Sequence, residues 1–205
     1  MLLRLLISNG YLYNMTYFHK AYHSSMPPWV IDRPQPALKR VLEEGYIKGK
    51  VLDVGCGTGD NTIMVANHHL EVIGLDFVNE AIEIARSKVK NSPLKISFVV
   101  ANALNLKNLN LKIDTVIDSG LFHTLDDKER IIFLDNLSAV LKRGGTYIML
   151  CFSDKVAGYY GPRRISKKEI QELFKDEWEI LEIRSEKMES TYSTVEAWLS
   201  IIRKA

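Results

Sequence analysis

The sequence predicts an α/β fold: an open, mostly parallel sheet of seven strands with helices on both faces and one antiparallel strand near the carboxyl terminus. Three observations predict it. Residues 51–60, VLDVGCGTGD, join a short apolar strand to a glycine-rich turn and the start of a helical pattern. From residue 50 onward, strand and helix patterns alternate as in βαβ units. Two long stretches of alternating apolar and polar residues end the chain, which is typical of an antiparallel pair.

The segment before the sheet is irregular. Residues 1–25 are rich in Tyr, His, Asn and Ser and show no clear helical period, so we expect residues 1–28 to form a partly flexible extension. A helix is predicted over residues 36–44, because Pro36 suits the first helical position and Gly45 can end the helix. Residues 29–205 are predicted to form a single domain.

The remaining elements follow from periodicity. The last helix begins with Ser166 and has Glu169 three residues later, which is the pattern of a capping box. Strands are predicted at residues 50–55, 71–75, 95–100, 113–118, 145–152, 178–188 and 193–204, helices at 60–68, 78–89, 127–142 and 166–174, and a short turn or helix near 103–108.

The composition is that of an ordinary globular chain. With 205 residues, 46% hydrophobic and 25% charged, the chain is long enough to bury a sizeable core. A net charge of +2 gives no case for a nucleic-acid or membrane partner, and no apolar run approaches the ~18 residues of a membrane span. Cys56 and Cys151 are predicted to stay unpaired, which favours a cytoplasmic location.

The glycine turn predicts a nucleoside-like ligand. A dinucleotide fingerprint would need a third glycine where Asp60 stands, and no Lys-Ser/Thr pair follows as in a phosphate-binding Walker loop. As a helix N-cap, Asp60 would occupy the free N–H groups and repel a phosphate. The turn therefore suits a nucleoside that carries no phosphate.

The run resembles motif I of the class I S-adenosylmethionine-dependent methyltransferases, which have a Rossmann-like fold. A second strand ends at Asp76, 23 residues after Asp53, and an acidic residue at about this spacing binds a ribose diol in such folds. The alternatives are an ordinary βα turn and, for Asp76, a cap of the next helix. The resemblance implies that S-adenosylmethionine is bound here by Asp53, Gly55, Cys56, Gly57, Gly59, Asp76 and Phe77.

Two further segments complete the predicted cofactor site. Asn102 and Ala103 stand where the family has an acidic residue and a small one, and the Asn carbonyl can accept from the adenine amine; the alternative is a turn Asn. Asp118 and Ser119 end the next strand and resemble motif IV, facing the methionine end of the cofactor. The two prolines and aromatic residue of the amino-methyltransferases are missing here, which disfavours methylation of nucleobase amines.

His123 is the candidate catalytic residue. It follows this strand end and has a side chain whose pKa suits a general base near neutral pH; the alternative is a structural or cofactor-lining histidine. Asp126 and Asp127 invite comparison with metal-dependent methyltransferases, but a cap of the following helix explains them more simply. No metal is therefore predicted.

Aromatic residues outside the motifs point to the acceptor. Trp29 precedes Arg-Pro-Gln-Pro, a combination that resembles small-molecule thiol and quinol methyltransferases, including the thiopurine S-methyltransferase group. In that group an N-terminal segment folds over the cofactor, and a Trp face can favour a sulfonium cation; the alternative is a core anchor. Tyr159 and Tyr160 are candidates to wall an aromatic acceptor, the alternative being a surface loop.

The resemblance implies an enzyme that moves a methyl group to a sulfur or oxygen atom of a small molecule. Two other functions stay open: an RNA or protein methyltransferase, and a non-catalytic subunit that binds S-adenosylmethionine. The expected partner is a small-molecule methyl acceptor, with no nucleic acid and no membrane. The sequence determines neither the acceptor nor the oligomeric state.

Overall fold

Seven strands form one sheet in a computed structural model, which describes residues 15–24, 26–158 and 161–205. The strands are β1 (Val51–Val54), β2 (Val72–Asp76), β3 (Ile96–Val100), β4 (Ile113–Ser119), β5 (Leu141–Phe152), β6 (Trp178–Glu189) and β7 (Thr194–Lys204). The helices are α1 (Met15–Ser24), α2 (Pro36–Glu43), α3 (Asp60–Asn67), α4 (Asn79–Val89), α5 (Asp127–Val140) and α6 (Lys167–Leu173), with 3₁₀ segments at Ala103–Leu109 and Phe122–Thr124.

The strand order is β3-β2-β1-β4-β5-β7-β6. Strand β1 pairs in parallel with β2 and β4, and the parallel pairing continues outward to β3 and β5. Strand β7 lies antiparallel between β5 and β6. The predicted fold class is therefore confirmed, including the single reversed strand near the carboxyl terminus.

Helices cover both faces of the sheet because consecutive strand residues point to opposite sides. In β5, Tyr147 and Met149 join one buried cluster with α5 and α6, whereas Ile148 and Leu150 join a second cluster with α2 and α3. Strand β1 is buried along its whole length, as expected for the centre of a parallel sheet. The carboxyl ends of the parallel strands are therefore held rigidly between two packed layers.

The structure differs from the prediction in one helix that was not expected and in one helix end. No helix was expected within residues 1–25, yet Met15–Ser24 is helical and packs on α4. The helix predicted to end at residue 142 ends at Val140, since buried Leu141 already pairs with Ile113 and begins β5. Helix α1 packs on α4, a contact that local periodicity does not reveal, whereas an offset of two residues is common at helix ends.

The predicted helix starts are confirmed in most details. Pro36 lies in the first turn of α2, and Gly45 follows that helix with a φ of 81°. Asp126 forms a complete capping box with Glu129 at the start of α5, so its predicted capping role is confirmed. Ser166 caps α6 by accepting from the Glu169 N–H at 3.1 Å. Among the helices that the structure describes, none is long and apolar enough to cross a membrane.

Candidate cofactor and acceptor site

The strand register brings three acidic residues to one edge of the sheet. Val54 of β1 pairs with Leu75 of β2 and with Asp118 of β4, so these strands end at nearly the same level. Asp53, Asp76 and Asp118 therefore lie close together beside the glycine turn. Ligands of open α/β sheets bind at this edge.

Asp76 holds the glycine turn in place. Its Oδ2 accepts from the Gly57 N–H and its Oδ1 from the Val78 N–H, each at 2.9 Å. The Phe77 N–H also acts on this carboxylate, and a carboxylate offers about four lone-pair positions, so acceptor capacity for a ribose hydroxyl remains. Burial raises the pKa of Asp76, while its backbone hydrogen bonds lower it. The N-cap of α4 is Val78 and not Asp76. The Asp76 side chain still has a structural role, because it accepts from two backbone N–H groups.

Gly57 and Gly59 allow the turn to pass close to its neighbours. Their φ angles of 53° and 81° lie in the left-handed region, which glycine adopts without strain. A β-carbon on Gly59 would lie 2.7 Å from the Phe98 ring, and one on Gly57 would lie 3.1 Å from the Tyr22 hydroxyl. A side chain at either position would therefore press on these neighbours, so glycine suits the turn at the ends of β1 and β2.

Asp53 lies beneath this surface and is bound to α3. Its Oδ2 accepts from the Thr62 hydroxyl at 2.6 Å. Burial, together with the charges of Asp118 and Asp76 and against the Thr62 hydrogen bond, raises the pKa of Asp53 to about 7. A cation bound near these carboxyl groups would favour the ionised form of Asp53.

The structure corrects the role predicted for Asp60. Gly59, not Asp60, is the N-cap of α3, and the Asp60 side chain turns to the Lys88 ammonium at 2.8 Å and the Thr58 hydroxyl at 2.8 Å. The helix N–H groups are therefore not occupied by this carboxylate. Its charge at the first turn still opposes a phosphate at this position.

Asn102 lies at the end of β3, where the adenine is predicted to bind. Its Oδ1 accepts from the Leu104 N–H at 2.8 Å and so caps the 3₁₀ segment that begins at Ala103. This is the turn role weighed as the alternative, and the second lone pair of Oδ1 stays available to an adenine amine. Ala103 is buried and packs into the main core cluster.

The Asp118 side chain is not available to a cofactor. It is fully buried and accepts from the N–H groups of Leu121 and Phe122, at 2.8 Å and 3.1 Å, and from the Tyr147 hydroxyl at 2.7 Å. This carboxylate fixes the loop after β4, so the predicted contact of Asp118 with the cofactor, which stays a prediction, falls to its backbone. Ser119, which is partly exposed, remains at the cleft edge.

Helix α1 packs across the glycine turn. Phe18 contacts Phe77 edge to face with ring centroids 5.7 Å apart, and the Tyr22 hydroxyl accepts from Trp29 Nε1 at 3.2 Å. His19 and His23 both reach Glu80, at 3.2 Å and 2.7 Å. Helix α1 was not predicted from the sequence, although Phe18 and Tyr22, four residues apart, form its contacts with Phe77 and Trp29.

Gln35 joins the segment after α1 to the β6–β7 hairpin. Its Nε2 donates to the Glu189 carbonyl at 2.8 Å, and its Oε1 accepts from the Glu189 N–H at 2.9 Å. The Thr191 N–H donates to the Pro28 carbonyl at 2.9 Å, and Arg33 pairs with the Glu189 carboxylate at 2.5 Å. The N-terminal segment and this hairpin are therefore one packed unit beside the cleft.

His123 lies in the loop between β4 and α5. Its Nδ1 accepts from the Phe152 N–H at 3.0 Å, and the ring packs edge to face on Phe152 with centroids 4.6 Å apart. Burial, together with the charges of Arg130 and Arg164, lowers the pKa of His123 to about 3. The imidazole is therefore neutral near pH 7 and poorly suited to the role of general base.

The remaining predicted site residues are Cys56, Tyr159 and Tyr160. The Cys56 thiol is buried, and burial holds its pKa well above the usual value, so the residue offers backbone contacts and no nucleophile. Tyr159 and Tyr160 lie outside the described residues. Among the described residues, no group of three His, Cys, Asp or Glu side chains forms a metal site.

The site fits S-adenosylmethionine by its chemistry. Asp76 offers acceptors for a ribose diol, Asn102 an acceptor for adenine, and the crowded carboxyl groups suit the positive sulfonium and ammonium groups. The glycine turn presents backbone without side chains of its own at Gly55, Gly57 and Gly59, and Tyr22 of α1 lies beside Gly57. An open α/β sheet with this site defines a nucleoside-binding protein of Rossmann-like class.

Comparisons with known proteins agree. Residues 51–145 match the family model described as a methyltransferase domain. The chain is 31% identical to 2-heptyl-1-hydroxyquinolin-4(1H)-one methyltransferase of Mycobacteroides abscessus, over 78% of this chain and 72% of the relative. It is 25% identical to a probable thiol methyltransferase 2 of Arabidopsis thaliana, over 76% of this chain and 70% of the relative.

A solved structure supports the same assignment. This structure comes from work on the conversion of a disulfide bond into a thioacetal group during echinomycin biosynthesis. Its TM-score with this chain is 0.83, at 30% identity and with 92% of each chain covered. The chain belongs to the S-adenosylmethionine-dependent methyltransferase family. It is an enzyme of this class, with S-adenosylmethionine as its cofactor.

Proposed function

We propose that the chain transfers the methyl group of S-adenosylmethionine to a sulfur or oxygen nucleophile of a small molecule. The observation that carries the proposal is the cover over the cleft: α1 and the following segment lie across the glycine turn, with Tyr22 beside Gly57. A covered site admits a small molecule more readily than a folded RNA or protein. The names of the hydroxyquinolone and thiol relatives support oxygen and sulfur as acceptors.

The cofactor supplies an electrophilic methyl group, and the protein supplies binding and alignment. In this proposal Asp76 binds the ribose, Asn102 the adenine and the acidic edge the methionine end. Holding the acceptor in line with the methyl group removes ~7–11 kcal/mol of barrier by proximity alone. The proposed contacts are Trp29, Asp53, Gly55, Cys56, Gly57, Gly59, Asp76, Phe77, Asn102, Ala103 and Ser119, with Tyr159 and Tyr160 as predicted acceptor walls.

Turnover of an acceptor library by the purified chain tests the proposal. We expect S-adenosylhomocysteine to form with thiols and acidic phenols, and not with transfer RNA or a protein substrate. Turnover of a macromolecule alone would contradict the proposal. Binding of cofactor without turnover of any acceptor would instead indicate a non-catalytic subunit.

The domain organisation is part of the same proposal. We infer that residues 29–205 form the catalytic domain, that residues 1–28 are an extension, and that the protein works in the cytoplasm. Deleting residues 1–14 should leave cofactor affinity unchanged, because the strand ends and α1 lie outside that segment. Deleting residues 1–24 should weaken it, since α1 is then lost. Equal affinities of the two truncated chains, measured by calorimetry, would show that α1 does not cover the cofactor.

A further inference from the structure

The orientation of His123 follows from an interruption of the sheet. Strand β4 ends at Ser119, and the Gly120 N–H donates to the Leu150 carbonyl of β5 at 3.0 Å. Beyond this bond β4 no longer runs beside β5. The next amide on that edge, that of Phe152, donates to His123 Nδ1 at 3.0 Å instead. The imidazole thus completes the sheet ladder in place of a backbone carbonyl.

This hydrogen bond determines which ring nitrogen carries the proton. A backbone N–H can only donate, so Nδ1 must present its lone pair, and the proton of the neutral ring must lie on Nε2. Nδ1 cannot take up a proton without losing its bond to Phe152. Nε2 already carries one. Neither nitrogen is therefore free to remove a proton from an acceptor.

The Nε2–Cε1 edge of the ring faces Gly120, which follows the carboxyl end of β4. Both Nε2 and Cε1 lie 3.4 Å from the point where a β-carbon of Gly120 would stand, and the Met188 methyl lies 3.8 Å from the same point. Gly120 follows the carboxyl end of β4, where acceptors are expected in this fold. The structure shows no partner for Nε2 among the residues it describes. Its N–H is a hydrogen-bond donor at the acceptor side of the site.

The surroundings carry positive charge. The Arg130 guanidinium, on α5, and the Arg164 guanidinium, before α6, both disfavour a proton on His123. Arg130 is paired with Glu169 at 2.7 Å, which reduces its contribution. Arg164 and the Phe152 ring each come within 3.8 Å of the position of a Gly161 β-carbon. A cationic neighbourhood around a neutral N–H donor stabilises an anion.

We propose that His123 is a hydrogen-bond donor, through Nε2–H, to an acceptor that binds as a sulfur or oxygen anion. This inference rests on the proposed function and names its acceptor class: thiols, acidic phenols and N-hydroxy compounds that ionise near neutral pH. The acceptor loses its proton to solvent before the reaction. Its lone pair then forms the bond to the methyl carbon, the methyl–sulfur bond breaks, and that electron pair stays on the now neutral sulfur of the cofactor.

The first test follows the pH profile of kcat/KM with a series of phenols and thiophenols of graded acidity. We expect the acidic limb to move with the pKa of each acceptor, because the acceptor must ionise and the histidine does not. His123→Ala should lower kcat/KM about 10- to 100-fold, the range for a hydrogen bond to a charged group. His123→Gln, which keeps an N–H donor near Nε2, should recover part of the loss. A limb at one pH for all acceptors, abolished in both variants, would establish a base and overturn the proposal.

The second test does not require turnover. In the complex with S-adenosylhomocysteine, nitrogen NMR of His123 should show the proton on Nε2 at pH 7, and a proton on Nδ1 would contradict the inference. Phenols should bind this complex more tightly as their acidity rises, and His123→Ala should remove that trend. If acidity-dependent binding is found without methyl transfer to any acceptor, the proposed function fails while the role of His123 stands. If binding is independent of acidity, the role of His123 fails.

Discussion

At the scale of single residues, the cofactor site is built from groups that serve structure and ligand together. Asp76 is the main example, since its two oxygens hold the turn through Gly57 and the start of α4 through Val78. Asp118 differs, because its carboxylate is fully buried and bound by Tyr147 and two backbone N–H groups. Two acids at neighbouring strand ends therefore have different roles despite similar positions in the sequence pattern.

Replacing Asp76 by Asn should weaken the binding of S-adenosylhomocysteine about 10- to 100-fold. The physical reason is the loss of charge-assisted hydrogen bonds to the ribose diol, each of which contributes ~1.5–3 kcal/mol. Calorimetric titration measures the change. Asp60→Asn is the matched control, since that carboxylate lies in the same turn but pairs with Lys88 at 2.8 Å. Unchanged affinity in Asp76→Asn would show that Asp76 only holds the turn.

The acidic edge predicts that cofactor binding depends on pH. The folded-state pKa of Asp53 is raised to about 7, first by burial, so below pH 7 this group is largely protonated before a ligand binds. A sulfonium cation favours the ionised form, so affinity for S-adenosylmethionine should fall as pH drops through 7, by at most about 10-fold per pH unit. S-adenosylhomocysteine lacks the sulfonium charge and should show a weaker dependence.

Titrations of both ligands between pH 5.5 and pH 8 (about one unit or more on either side of 7) measure this difference. Asp53→Asn removes the titrating group and should flatten the profile for S-adenosylmethionine. The same slope for both ligands in the unmodified protein would contradict the prediction, because it would mean that the sulfonium charge does not act on Asp53.

At the scale of secondary-structure elements, the N-terminal segment and the β6–β7 hairpin form the cover of the site. Gln35 is buried, and its amide pairs with both backbone groups of Glu189 as a neighbouring strand would. The same hairpin carries Met188, which lies beside Gly120 at the acceptor side. In the proposed function, the cover over the cofactor and one wall of the acceptor site are therefore joined through this hairpin.

Replacing Gln35 by Ala should lower the free energy of unfolding by about 1–3 kcal/mol, because it leaves a backbone N–H and a carbonyl of Glu189 without partners. Denaturant unfolding measures the loss. Gln171→Ala, at an exposed position of α6, is the control and should change stability by less than about 0.5 kcal/mol. Equal stability of the two variants would show that water replaces the Gln35 hydrogen bonds without cost.

At the scale of the whole molecule, the ligand site is formed only in the folded state. It draws on the ends of β1 to β4 and on α1, which are brought together by the sheet order. A ligand that binds only this state must stabilise the fold by mass action.

S-adenosylhomocysteine at 100 times its dissociation constant should therefore raise the free energy of unfolding by ~2.7 kcal/mol. NAD at the same concentration should have no effect, since Asp60 at the start of α3 opposes a pyrophosphate. Thermal unfolding with each ligand measures both. Greater stabilisation by NAD would contradict the assignment of the cofactor.

The sequence by itself determined the sheet, the glycine turn and most helix boundaries. These depend on near neighbours: alternation of apolar residues, Pro36 at a helix start, Asp126 and Glu129 in one turn. The pattern of Asp53 and Asp76 likewise placed the predicted cofactor edge, because parallel strands end at the same edge of a sheet.

Only the tertiary structure decided how several side chains are used. Gln35 and Glu189 lie 154 positions apart, and His123 and Phe152 lie 29 apart, so no local pattern relates them. Strand β4 ends before it could offer a carbonyl to the Phe152 N–H. This N–H donates to His123 Nδ1 instead, and that bond sets the tautomer of His123. The burial that turned Asp118 inward and ordered α1 across the turn likewise depends on distant elements, because packing acts between surfaces that meet only in the fold.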